Sequence, residues 1–287
     1  MRTADTLRLL FLASLWGASF LFMRILSPVL GALWTTEFRV ALAALALVGY
    51  LAFIRRSLLI GENWRHYLVI GIFNSAVPFP LFAFAALSIP AGYSAIMNAT
   101  TPLWGALLAV AVFGERLTLR KLAGLLLGIV GVAFLVRLGP AELTFDTVLA
   151  VGACLSAALC YAIAGTYSKK KSGAVPAPLM ATGSQLAAAL LLLPFAAATP
   201  IKGPVTPLII MVAAALALLC TALAYLLYFR LITDIGATKA MTVTFLIPMF
   251  AILWGFLLLH EPITLSMLGG CALVIAAMYL VVFQKKA

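Results

Sequence analysis

Ten apolar runs, each about as long as the hydrocarbon core of a bilayer is thick, constrain the fold of this chain more than any other feature. They lie near residues 7–26, 32–54, 66–87, 91–113, 120–138, 146–167, 177–198, 206–229, 236–259 and 264–283. About 20 consecutive apolar residues suffice for one helical crossing. In hydrocarbon every backbone polar group must be satisfied internally, which leaves helices or closed barrels. Runs of this length, rich in Ala and Leu and without period-2 alternation, argue against strands. Hydrophobic residues are 65% of the 287 and charged residues 9%, a balance from which no soluble surface can be built. The sequence therefore predicts an all-α integral membrane protein with ten transmembrane helices. It excludes a soluble enzyme, a nucleic-acid-binding domain and a disordered chain. The first run holds Trp16-Gly17-Ala18-Ser19-Phe20 and no clear small-x-small cleavage site, so it reads as a mature span rather than a signal peptide.

The net charge of +11 is a topology signal once the charges are placed. With ten spans both termini share one side. If that side is cytoplasmic, the inner loops carry Arg2, Arg8, Arg55, Arg56, Arg65, Arg116, Arg120, Lys121, Lys169, Lys170, Lys171, Arg230, Lys239, Lys285 and Lys286. The outer side keeps only Arg24, Arg39, Arg137 and Lys202. That asymmetry follows the positive-inside rule and predicts a multi-pass protein of a bacterial inner membrane with both ends cytoplasmic. The 4 Cys sit inside apolar runs without a C-x-x-C pair and read as small packing residues.

The chain also repeats itself. A shift of 146 positions carries Pro102 onto Pro248, Glu115 onto Glu261, Thr118 and Leu119 onto Thr264 and Leu265, and Gly124 onto Gly270. Glu is rare here, so its recurrence in register with Pro and Gly carries weight. This predicts two units, 1–139 and 140–287, of five spans each. An odd number of spans forces the second copy to enter the bilayer upside down, and the loops agree. Glu115 is flanked by Arg116, Arg120 and Lys121, whereas Glu261 has Pro262, Ser266 and Met267 at those positions. Inverted repeats of this kind build many secondary transporters, with a site near the midplane reached alternately from either side.

The Trp16–Phe20 motif, Glu37-Phe38-Arg39 at the start of the second span, and both Pro-x12-Glu-x8-Gly units together resemble the drug/metabolite transporter superfamily, in its EamA branch. Within that branch the chain is similar to bacterial exporters of aromatic amino acids. The resemblance covers essentially the whole chain. It implies ten helices with cytoplasmic ends and a cavity lined by spans 1, 3, 4, 6, 8 and 9, with 5 and 10 peripheral. It also implies export of small metabolites without ATP, and the sequence has no G-x-x-x-x-G-K-[ST] phosphate loop.

Helical spacing selects the candidate lining. Ser94, Asn98, Thr101 and Gly105 share a stripe in span 4; Asn74, Pro78 and Phe82, with Phe79 alongside, do so in span 3. Ser19 and Met23 share a face in span 1, Tyr161 leads one in span 6, Thr221, Tyr225 and Tyr228 in span 8, and Met241, Thr244 and Phe245 in span 9. Polar groups facing lipid would be unpaired, so these faces should point inward. Small polar residues such as Ser94 are more often helix-packing glue, and a single aromatic more often plain core. Asn74 and Asn98 suit the polar end of a ligand; Met23, Met97 and Met241 supply adaptable surface. No Asp, Glu or Lys falls mid-span. A neutral or zwitterionic solute with an apolar body is the expected cargo, with a drug-like cation or polar metabolite as the rival. Pro102 and Pro248 are expected hinges. Glu115 and Glu261 should each meet a basic group or cap the helix that follows, at Thr118 or Thr264. Arg39 is expected to pair with Glu37 at the outer rim. With no H-E-x-x-H, no D-x-x-x-D and no mid-span His, neither an enzyme nor a metal or cofactor is expected. The partners expected are the small solute and the bilayer, around a chain that acts as a monomer.

Overall fold

The computed structural model describes residues 2–138, 144–171 and 175–282. Among these, eight helical stretches are long and apolar enough to cross a membrane, and a ninth, Val243–Leu259, is apolar but has 17 residues. The expected boundary between two units, at 139/140, lies outside the described residues.

The first stretch, α1 (Thr3–Phe53), has 51 residues. Straight, it would span about 77 Å, more than twice a hydrocarbon core of ~30 Å. It turns back instead. Gly31 adopts φ 78° and ψ 163°, a region closed to residues with a Cβ. Across this break Arg39 Nη1 comes within 3.8 Å of Met23 Sδ, although 16 residues on a straight helix span ~24 Å. The amides of Lys202 and Gly203 clasp the turn by donating to the Val29 carbonyl at 2.9 and 3.0 Å.

Four later apolar runs are interrupted. In the third run, α2 (Ile60–Gly71) leads into a π-turn, Ile72–Ala76, and then α3 (Pro78–Ala85). The fourth is split at Ala99–Thr100 into α4 (Ala91–Asn98) and α5 (Thr101–Phe113). α6 (Leu119–Leu138), α7 (Phe145–Lys170) and α8 (Ala177–Ala197) follow. The eighth run is α9 (Pro207–Ala217), a second π-turn at Leu218–Leu223, and α10 (Ala224–Ile235). The ninth is α11 (Ala237–Ala240), a turn, and α12 (Val243–Leu259), before α13 (Leu265–Val282). Local widening to i→i+5 bonding, as where Val77 N–H meets the Ile72 carbonyl at 3.0 Å, recurs at functional sites. Several boundaries lie 146 residues apart: Ile72 with Leu218, Ala91 with Ala237, Phe113 with Leu259, and Leu119 with Leu265. The left-handed caps Gly114 and His260 obey the same spacing.

The two expected hinge prolines are not alike. Pro102 is the second residue of α5, just past the break, where its missing N–H is harmless. Pro248 is inside α12 and buried, where it frees the Thr244 carbonyl from its helical bond. α1 packs centrally, against α12, α8, α9 and α3, while α6 and α13 pair with each other. Small residues permit this closeness: a Cβ on Gly17 would lie 2.7 Å from Phe250 Cβ and 2.9 Å from the Ala251 amide nitrogen.

Candidate solute cavity

The breaks in the helices surround an internal cavity of about 240 Å³. Eleven residues expected from the sequence line it: Ser19, Met23, Asn74, Phe79, Phe82, Asn98, Thr101, Tyr161, Tyr225, Tyr228 and Thr244. They come from α1, the first π-turn, α3, α4, α5, α7, α10 and α12. No lining residue belongs to α6, α8 or α13.

Three expected residues are elsewhere. Met97 is fully buried in the packed core: within α4 it lies one residue, about 100° around the helix, from Asn98, which faces the cavity. Met241 lies in the turn before α12, 44% exposed. Phe245 faces an open apolar groove with Leu246, Ile275 and Tyr279. Ser94, from the same stripe, is buried and accepts from Cys154 Sγ at 3.7 Å rather than lining the cavity.

The largest correction concerns Arg39. The expected rim pair with Glu37 does not form: the two residues are about 200° apart around the helix, and no ion pair joins them among the described residues. Arg39 lies about 12 Å along its arm from the turn at Gly31 and lines the cavity with only 5% of its surface exposed. Its Nε donates to Thr221 Oγ1 at 3.0 Å, its Nη1 meets Met23 Sδ, and its guanidinium carbon sits 3.6 Å from the centre of the Phe79 ring. Glu37 is buried outside the cavity, and its Oε2 has no hydrogen-bond partner among the described residues. The motif Glu-Phe-Arg therefore puts a cation inside the molecule. Sequence reading missed it because an arginine eight residues after a turn reads equally as a loop-edge charge; only the fold-back onto Met23 shows its depth.

Trp16, Phe20, Cys220 and Ile247 complete the lining. The aromatic wall is packed on itself: Phe82 stacks on Tyr161 at 6.0 Å, Phe20 meets Phe82 edge-on at 5.3 Å, and Trp16 tilts against Tyr228 at 5.2 Å. Such contacts fix the rings in place. The hydroxyls of Ser19, Thr101 and Thr244 donate to backbone carbonyls of their own helical turns at 2.6–2.8 Å. The two amides differ. Asn74 Nδ2 donates to the Tyr225 hydroxyl at 2.7 Å, supported by Gln185 Nε2 at 3.4 Å. Gln185 also donates to Ser75 Oγ at 2.9 Å, a buried partnership that no sequence pattern marked. Asn98 Oδ1 is buried with no partner among the described residues.

At one end of the molecule Glu115 pairs with Lys121 at 3.0 Å and Lys169 at 3.1 Å. Both lysines donate to its carboxylate and hold its pKa below the ordinary carboxylate value. At the other end Glu261 lies 3.5 Å from Arg24 Nε and accepts the Ala91 amide at 3.1 Å. It thus caps α4 rather than the following helix. Thr118 and Thr264 themselves cap α6 and α13, accepting the amides of Lys121 and Met267 at 3.2 Å. No group of three His, Cys, Asp or Glu able to hold a metal occurs among the described residues.

The sequence pattern of the EamA-like transporter family matches residues 6–137 and 148–283. An "Uncharacterized transporter YvbV" of Bacillus subtilis is 28% identical over all of this chain and 94% of its own length. A "WAT1-related protein At3g02690, chloroplastic" of Arabidopsis thaliana is 30% identical over 94% of this chain and 67% of its own. An "Uncharacterized transporter" of Archaeoglobus fulgidus is 27% identical over 93% of each. One solved crystal structure superposes with a TM-score of 0.68, covering 98% of this chain and 96% of that one at 18% identity, a likeness of fold.

Proposed function

The chain belongs to the EamA-like transporter family, and from that premise we propose that it exports aromatic or other apolar amino acids and related small metabolites by alternating access. It is a multi-pass membrane transporter and not an enzyme. On this proposal the chain crosses ten times, the two arms of α1 counting separately and α12 included. The charge asymmetry supports both termini in the cytoplasm of a bacterial cell, with residues 1–139 and 140–287 proposed as inverted five-helix units. The recurrence of helix boundaries at a spacing of 146 residues supports that division.

The observation that carries the reading is the central cavity itself. It is walled by aromatic rings, furnished with two amides and a guanidinium, and bounded by helices that break beside it. At about 240 Å³ it sits just below the usual range of ligand pockets, as suits one small metabolite. The helix breaks flanking it at Asn98–Thr101 and before Val243 supply bends about which the halves can rock. Solute counterflow in proteoliposomes tests the reading. Saturable uptake of labelled phenylalanine, accelerated by internal unlabelled phenylalanine and competed poorly by a lipophilic cation, is the expected result. Linear, uncompeted flux would point to a passive pore.

A further inference from the structure

We infer that Arg39 is the residue that reads the carboxylate of the solute in this cavity, and that among apolar carboxylates a monoanion binds best. This inference rests on the transporter reading and names the cargo of the same cavity.

Arg39 is a buried cation, and no carboxylate lies within ion-pairing distance of it among the described residues. A membrane-buried charge is normally matched by a counter-charge. Here the lining supplies none: Glu37, the nearest acid in sequence, faces away from the cavity. The guanidinium is nevertheless held in place. Thr221 fixes Nε, and the Phe79 ring covers one face. Its outer edge is left almost unused. Nη1 meets only a thioether sulfur, a weak acceptor, and none of the hydrogen bonds among the described residues uses Nη2. A fixed guanidinium with an open edge is the geometry that carboxylates fill with two parallel hydrogen bonds.

The rest of the lining limits what can carry that carboxylate. Phe20, Phe82 and Ile247 offer an apolar seat for a ring or branched chain. Asn98, which lines the cavity and whose Oδ1 is unpartnered among the described residues, offers its amide to one polar group of the solute, such as a hydroxyl. Charge then ranks the cargo. A monoanion neutralises the cavity. A zwitterion leaves it positive and sets its ammonium against the guanidinium. An amine without a carboxylate brings a second cation to a site that already holds one. The site favours an apolar hydroxy acid over the matching amino acid, and both over the matching amine.

The test uses the purified full chain, in detergent for binding and in proteoliposomes for counterflow, with 2-hydroxy-3-phenylpropionate, phenylalanine and 2-phenylethylamine as probes. Affinity is expected to fall in that order, with the amine at least tenfold weaker than the hydroxy acid. Arg39→Gln should weaken the hydroxy acid at least tenfold without weakening the amine, and Arg39→Lys should recover part of the loss. If the amine binds as tightly as the acid, or if Arg39→Gln leaves acid binding unchanged, the inference is overturned. The order of affinities in the unaltered protein decides this even if Arg39→Gln does not fold. Saturable counterflow of neutral or cationic solutes alone would sink the anion inference and leave the transporter reading standing. Absence of counterflow for every solute would remove the transporter reading, while the binding order would still judge Arg39.

Discussion

The carboxylate of Glu261 accepts the Ala91 amide at 3.1 Å and lies 3.5 Å from Arg24, so one acid ties together α1, the first turn of α4 and the loop before α13. It replaces an absent side-chain cap, since the residue preceding α4 is Pro90. Glu261→Ala is expected to lower unfolding stability by about 1–2 kcal/mol, the usual cost of losing a helix cap. Glu261→Gln, which keeps an acceptor oxygen, should lose less. Thermal unfolding in detergent measures both, and equal melting of all three proteins would show that the cap adds nothing.

Glu115 should give a pH signature. Its pKa is lowered in the folded chain by hydrogen bonds from Lys121 and Lys169. A carboxylate lowered on folding adds stability above its unfolded pKa, and that stability is lost as pH falls through the folded value. Glu115→Gln should therefore be slightly less stable than the unaltered protein near neutral pH. The two should converge as pH drops below the ordinary carboxylate range. The gap will be small because Glu115 is 37% exposed and surface pairs are screened. A difference that widens with acid would contradict this origin.

Gly17→Ala should push α1 away from α12. The new Cβ would come within 2.9 Å of the Ala251 backbone nitrogen and 3.1 Å of the Ile247 carbonyl, neither of which can swing aside. Overpacking of this kind costs about 1–3 kcal/mol. Because Trp16 and Ser19 flank Gly17 in the cavity wall, transport should fall along with melting temperature. A fully stable and active variant would show that the helices yield easily.

Tyr225→Phe and Asn98→Ala should separate stability from transport. Removing the Tyr225 hydroxyl strands the Asn74 amide, at about 1–3 kcal/mol for a buried polar group. Asn98 Oδ1 has no protein partner to lose, so Asn98→Ala should melt nearly normally. Counterflow should nevertheless drop roughly tenfold, the value of one ligand hydrogen bond. Wild-type flux in Asn98→Ala would remove that residue from the site.

The orientation of the second unit can be checked by an accessibility tag beside Pro262. An inverted repeat puts that loop outside the cell, whereas a tag next to Arg116 should be reached only from the cytosol. Labelling of both from the same side would end the inverted arrangement and the alternating access built on it.

The sequence by itself determined the class of molecule and most of the cavity wall. Apolar runs of crossing length leave helices as the economical solution in lipid, and helical spacing gathered Ser19, Asn74, Phe82, Tyr161 and Tyr225 onto inward faces. Only the tertiary structure decided how continuous those faces are and how deep the charges sit. Periodicity assumes an unbroken helix, yet the turn before Val243 leaves Met241 outside the cavity, and what packs against α4 puts Met97 in the core beside cavity-lining Asn98. Arg39 looked like a rim charge until the reversal at Gly31 laid its arm along Met23, because the environment of a side chain is set by what folds back against it.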